Sequence, residues 1–281
     1  MRLLIFGLGY CGTAIAAAAR DAGFTVTCAV RRPSGAGTVP FDNAGPAIAA
    51  ATHVLSTVPP GAQSEPVLQC YANAIIAAPS LQWIGYLSST VVYGDREGGW
   101  VDEDTPPAPS QERGHRRLAA EAAWGVLSSA HAVDIFRLAG IYGPGRSAFD
   151  DLRGGRARRI LKPGHAFGRI HRDDIAGAVL AAMLQPFRVG RRTFNLNDDE
   201  PAETAPVMEE AAHLLGMPLP PAIPFAEAEQ GMSPMARSFW AENRKVASRK
   251  TQAVLGYTWR YPSYRDGLRA ILAQEIANHA P

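Results

Sequence analysis

Three glycines near the start of the 281-residue chain carry its most specific chemistry. The run Gly7-Leu8-Gly9-Tyr10-Cys11-Gly12 fits G-x-G-x-x-G and lies between an apolar segment, Leu3 to Phe6, and an alanine-rich one, Thr13 to Arg20. In such a turn Gly7 permits the bend out of a strand, and Gly9 lets the backbone approach a pyrophosphate. Gly12 lets the next helix pack close to the sheet. The helix N-terminus then offers N–H groups and partial positive charge to phosphates. Gly7, Gly9, Tyr10, Cys11 and Gly12 are the predicted cofactor-binding turn. About 20 residues on, a dinucleotide site places the residue that meets the adenosine ribose. An acid there would accept from the 2′-OH of NAD; the chain has Arg31 and Arg32, which suit the extra phosphate of NADP. A third cationic set, Arg113, Arg116 and Arg117, falls at i, i+3 and i+4 on one helical face. Facing a cleft, it would bind a carboxylate or phosphate; facing solvent, it would be a charged surface with Glu112 and Glu121 as partners.

The elements that must hold these residues alternate strand and helix. Thr25 to Val30 reads as a second strand. Thr38 to Phe41 is a weak third, ending in Asp42, a partner for the adenine amino group. A helix over Ala44 to Ala51 leads to the strand His53 to Val58. Thr57, Val58 and Pro59 thus fall at the carboxyl end of a strand, where cofactor lies. Val67 to Ala78 is a helix and Leu81 to Leu87 a fifth strand, with Ser88 and Ser89 at its carboxyl end. Asp95 to Gln111, rich in Gly, Pro and acids, reads as a surface loop. The pattern predicts an α/β fold with a Rossmann-type doubly wound parallel sheet. The chain is 47% apolar and 19% charged, enough for a full core, and its net charge of +2 makes no case for nucleic-acid or membrane binding. Cys11, Cys28 and Cys70 have no metal-ligand spacing and read as small buried packing residues in a reducing compartment, so the expected location is cytoplasmic and no metal site is expected.

LSSTVVYGD (Leu87 to Asp95) resembles the strand-end motif of the extended short-chain dehydrogenase/reductases, the NAD-dependent epimerase/dehydratase family. RLAGIYGPGR (Arg137 to Arg146), IHRDDIAGAVLAAM (Ile170 to Met183) and FNLNDDEP (Phe194 to Pro201) resemble later segments of the same family, in order. The resemblance implies a Rossmann domain over residues 1–142 with 168–200 returning to it. A small C-terminal substrate lobe is implied over 143–167 and 201–263, with a last helix over 264–281. It also implies hydride transfer by a serine or threonine, a tyrosine and a lysine, the last two spaced Y-x-x-x-K. Ser89 stands at the serine position and would polarise the reacting carbonyl or hydroxyl. The tyrosine position holds Arg113 and the lysine position Arg117.

An arginine cannot pass a proton at neutral pH as a tyrosine of lowered pKa can. In this reading Arg117 bonds the nicotinamide ribose and Arg113 anchors a substrate anion, as in a divergent branch of the family that lacks the tyrosine. His115, Tyr93, an acid on the substrate, or no redox chemistry at all are the alternatives for the missing proton donor. The acidic pair of the family's dehydratases is replaced by Thr90 and Val91, so nucleotide-sugar dehydration is not expected. Arg146, Arg169, His171 and Arg172 are expected near the cleft mouth, with Asp173 or Asp174 capping a helix there. Phe239-Trp240 and the aromatic run Tyr257 to Tyr261 read as lobe core. The last helix is expected to pack on the main domain through Leu268, Ile271, Leu272 and Ile276. The function expected is an NADP-dependent oxidoreductase or epimerase on a small anionic substrate, or alternatively a catalytically silent NADP-binding sensor. Family members often dimerise through helices flanking the active site, and the residues here leave oligomeric state open.

Overall fold

The short apolar runs of the first 200 residues have the length and burial of parallel strands, and a computed structural model describing residues 1–279 assembles them into one sheet. In chain order the first half comprises β1 (Arg2–Phe6), α1 (Tyr10–Asp21), β2 (Thr25–Val30), β3 (Thr38–Pro40), α2 (Gly45–Ala50), β4 (His53–Ser56), α3 (Pro66–Ile76), β5 (Trp83–Ser89), β6 (Trp100–Val101) and α4 (Glu112–Gly125). Next come β7 (Ala132–Leu138), β8 (Gly140–Tyr142), α5 (Ala148–Arg153), β9 (Arg159–Leu161), β10 (Arg169–His171), α6 (Arg172–Leu184) and β11 (Gly190–Leu196). The last stretch holds α7 (Thr204–Leu215), β12 (Ala222–Pro224), α8 (Phe225–Ala228), α9 (Pro234–Trp240), β13 (Lys245–Val246), α10 (Arg249–Leu255) and α11 (Tyr264–His279).

Among the described residues the main sheet has seven strands in the order β11-β7-β5-β4-β1-β2-β3. Every pairing in it is parallel. The chain runs outward from β1 to β3, then returns to β4 on the other side of β1. That reversal opens a crevice at the carboxyl ends of β1 and β4. β4 and β7 are buried along their whole length, as strands covered by helices on both faces must be. Ile15 of α1 and Val179 of α6 pack with Leu3 and Ile5 on one face; Ile48, Ile75 and Trp124 of α2, α3 and α4 pack with Leu4 and Phe6 on the other.

Several local expectations differ from the fold. The first helix begins at Tyr10, not Thr13, because Gly9 is its N-cap and the phosphate turn winds directly into the helix. The loop 95–111 is not wholly free: Trp100–Val101 pairs with Lys245–Val246. α11 meets the edge of the main domain at Tyr142 of β8 and lies beside β10, and most of its apolar face covers the lobe helices. Leu268 and Ile271 join Phe149 of α5 and Met208 of α7 in a separate core, and Ile276 is exposed. Trp259 was expected in the lobe, yet it is buried in the main core beside α6. Cys11 and Cys28 are buried, but Cys70, on the outer side of α3, is exposed.

Candidate functional site

β1 ends in a turn shaped by its glycines. Gly7 has φ +89°, and its N–H donates to Ala29 O at 3.0 Å. A Cβ on Gly7 would lie 2.7 Å from Thr57 Oγ1, which itself donates to Phe6 O at 3.1 Å. Thr57 therefore braces the turn. A Cβ on Gly12 would lie 2.7 Å from Gly7 O, whereas one on Gly9 would meet nothing within 4 Å. Gly9, as N-cap, supplies no side-chain acceptor, so the first turn of α1 keeps its N–H groups uncapped beside open space. This cradle fits a pyrophosphate. Arg31 and Arg32 are exposed just past β2, with no hydrogen bond or ion pair among the described residues. Asp42 is exposed in the turn after β3. Tyr10 donates its hydroxyl to Pro144 O at 3.0 Å, and the guanidiniums of Arg172 and Arg146 lie 4.9 and 5.7 Å from its ring. Burial pushes the Cys11 thiol up to about 11, which leaves it an inert packing group.

Beyond the carboxyl ends of β5 and β7 lies a cavity of about 670 Å³. Pro59, Pro60, Ser89, Arg113, Arg116 and Arg117 line it together. Ser89 Oγ accepts from Val91 N at 3.3 Å, so its own proton is free to donate. Ser88, expected from the sequence among the cofactor-binding residues, does not line this cavity. Adjacent strand residues point to opposite faces, and the Ser88 hydroxyl is buried and donates to Glu121 Oε1 at 2.6 Å, away from the cleft. Glu121 is no surface partner for the arginines either. It is fully buried and takes both Arg137 Nε (3.0 Å) and Arg137 Nη2 (2.8 Å), with Arg191 Nη2 at 3.1 Å.

The helix face bearing the three arginines turns inward. Arg117 Nη1 donates to Tyr86 Oη (3.0 Å) and Leu87 O (2.9 Å), which fixes it beneath the end of β5. Arg113 Nη2 donates to Ser238 O (3.0 Å), its guanidinium lies 4.2 Å over the Phe239 ring, and burial holds its pKa below the usual arginine value. Arg116 pairs with Glu112 at 2.9 Å on the more exposed side. Arg169 reaches the same cavity and donates to Phe167 O and Ala202 O. Arg244 also lines it, paired with Glu242 at 2.8 Å. Among the described residues, Arg113, Arg117 and Arg169 have no carboxylate within ion-pair distance. Five arginines and one glutamate line the cavity, which is therefore net positive.

The candidate proton donors lie elsewhere. His115 is exposed and does not line the cavity. Tyr93 is buried, donates to Asn195 Oδ1 at 2.8 Å and lies under Arg137. His171 is itself the N-cap of α6, accepting from Asp173 N at 3.2 Å, and burial lowers its pKa to about 4. Neither expected aspartate caps that helix. Asp174 is buried and accepts from the Arg260 and Tyr261 N–H groups and the Tyr257 hydroxyl. Trp240 packs against the lobe cluster of Ile160, Ala228 and Met232, as expected from sequence, and with Phe239, Glu242 and Arg244 it also lines the cavity. Nothing in the sequence near α4 announces residues 120 positions later. Among the described residues no group of histidines, cysteines and acids could hold a metal ion, and no helix is long and apolar enough to cross a membrane.

No family model matches the chain. It is 41% identical to a functionally unknown conserved protein from Silicibacter pomeroyi, with a TM-score of 0.90 over 97% of this chain and 98% of that one. A structure from Methylobacillus flagellatus, assigned as an NAD-dependent epimerase/dehydratase, is 26% identical with a TM-score of 0.73 over 98% of both chains. Its structural neighbours are members of the NAD-dependent epimerase/dehydratase family. Within the same fold, human epimerase family protein SDR39U1, solved with NADPH, is 22% identical with a TM-score of 0.83 over 97% of this chain and 99% of that one. The 3-diazoavenalumate denitrifying reductase of a Streptomyces species is 32% identical over 181 residues, 60% of this chain. That match spans 58% of the reductase's own length.

Proposed function

We propose that the chain is an epimerase/dehydratase family member, an oxidoreductase or epimerase that binds NADP across the carboxyl edge of its sheet and acts on a small anionic substrate. The observation that carries this reading is one cavity holding Ser89 together with Arg113 and Arg117, two guanidiniums without carboxylate partners among the described residues. Gly7, Gly9, Gly12 and the uncapped N-terminus of α1 would hold the pyrophosphate. Arg31 and Arg32 would hold the 2′-phosphate, and Asp42 the adenine amino group. Bound there, the nicotinamide supplies or accepts a hydride. Ser89 donates a hydrogen bond to the reacting oxygen, and Arg113 anchors the substrate anion. Arg117, held by Tyr86 and Leu87, bonds the nicotinamide ribose. With arginine at both the tyrosine and lysine positions, the chain's own residues stabilise developing negative charge without protonating it. The proton then comes from solvent or from an acid on the substrate. The NADPH of the human family member and the reductase name of the Streptomyces relative support the cofactor and the reaction class.

A catalytically silent NADP-binding sensor is the second reading, favoured by the engagement of Arg113 with Ser238 and Phe239 where a proton-passing tyrosine would stand. Both readings need the same cofactor. Titration of the purified chain with NADPH and NADH, followed by nicotinamide fluorescence, tests it. NADPH is expected to bind more tightly, and Arg31→Ala or Arg32→Ala is expected to weaken NADPH by about tenfold or more while leaving NADH unchanged. Tight NADH with weak NADPH would overturn the 2′-phosphate assignment. Consumption of bound NADPH on adding anionic carbonyl compounds, lost in Ser89→Ala, separates the enzyme from the sensor.

A further inference from the structure

The wall of the cavity built by α9 combines positive charge with flat apolar surface. The Arg113 guanidinium lies 4.2 Å over the Phe239 ring, so cation and phenyl form one layered face. Phe239 is 54% exposed, and as a cavity-lining ring it opens onto that space. Trp240 comes next, its ring 5.0 Å from Phe167 in an edge-to-face arrangement, and both rings line the same space. Leu138 and Ile141, at the end of β7 and in β8, add further apolar surface.

Arg113 also brings hydrogen-bonding capacity to this face. Of the Arg113 nitrogens, only Nη2 has a protein acceptor, and Nε is buried with none. Arg117 sits one helical turn further on, with only Nη1 engaged. Unmet guanidinium donors near a protein interior are costly, and a carboxylate is the acceptor whose geometry matches a guanidinium edge. A planar aromatic ring gains from stacking on such faces, with centroids about 4.5–7 Å apart.

We infer that the substrate is an aromatic carboxylate, its carboxylate on Arg113 and its ring along Phe239 and Trp240. The inference rests on the reading of this cavity as the substrate site beside the nicotinamide. Such a substrate carries its own anion to neutralise the cavity and presents its reacting group toward Ser89.

Calorimetric titration of the full chain, with and without NADP⁺, tests it using benzoate, cyclohexanecarboxylate, inorganic phosphate and UDP as probes. Benzoate is expected to bind about tenfold more tightly than cyclohexanecarboxylate, which has the same charge and similar size without the aromatic face. Arg113→Gln is expected to weaken benzoate by about tenfold or more. Phe239→Leu is expected to abolish the preference over cyclohexanecarboxylate, with both variants melting near the wild type. Equal affinity for the two carboxylates, phosphate binding as well as benzoate, tighter binding of UDP, or no benzoate binding would each overturn the inference. Failure of NADP⁺ to bind in the same experiment would instead overturn the proposed cofactor, so the two failures are separable.

Discussion

Gly9 and Gly12 stand three residues apart in one turn and answer to different constraints. A Cβ on Gly12 would press within 2.7 Å of Gly7 O, whereas a Cβ on Gly9 would point into open space. Gly12→Ala is therefore expected to cost about 1–3 kcal/mol of stability through overpacking, and Gly9→Val less, about 1 kcal/mol at most, through the poorer N-cap. Urea unfolding of the two variants checks this, and equal destabilisation by both would contradict the assignment. The sequence pattern named both glycines but could not separate a packing role from a binding one. The same limit applies to Ser88 and Ser89. Both stand at the end of β5, and strand alternation sends one hydroxyl to Glu121 and the other to the cavity. Which residue faces which way depends on where the strand ends, and that is set by tertiary pairing with Leu138 of β7.

At the scale of elements, α4 is fixed by what lies beneath it. Glu121, fully buried on its inner face, joins Arg137 of β7, Arg191 of β11 and Ser88 of β5 in one network. This network locks the helix that carries Arg113 and Arg117 onto the strand that carries Ser89. Glu121→Ala leaves the Arg137 guanidinium buried without its partner and is expected to destabilise the protein by about 3–5 kcal/mol. Denaturant unfolding checks the value, and a change below about 1 kcal/mol would show that the pair contributes little. The i, i+3, i+4 arginine spacing was legible in the sequence, as was the inward turn that the family resemblance implied. The partners of that face were not, because Ser238 and Phe239 meet Arg113 across more than 120 residues of chain. Local periodicity reports which residues share a face; it does not report which distant helix covers that face.

At the scale of the whole molecule, the parallel strands of the first half are written in short apolar runs broken by glycine and proline, and their order in the sheet comes from tertiary pairing. The last third was less legible. Its strands are two or three residues long and its helices cover separate small cores, so burial there is set by contacts rather than by pattern. Burial also gives the fold a pH dependence. His53, His165 and His171 are all buried, and burial lowers each pKa to about 4. In the unfolded chain each titrates near about 6.5. Between those values the unfolded state binds more protons, so these groups withdraw stability as pH falls from about 6.5 to about 4. Buried carboxyls such as Asp174, whose pKa is raised by burial, act in the opposite direction, so the comparison is made between variants. His165 packs against Phe167 and Trp240 with its Nε2 unpartnered, and His165→Phe is expected to flatten the acid slope of the urea midpoint. An unchanged slope would contradict the account.

The central claim is that the glycine turn and the carboxyl edge of the sheet hold a nicotinamide dinucleotide beside Ser89. The most direct measurement is a fluorescence titration of wild type and Gly9→Val with NADPH. Saturable binding by the wild type, abolished in a folded Gly9→Val variant, is the expected result. Failure of the folded wild-type chain to bind either NADPH or NADH would contradict it.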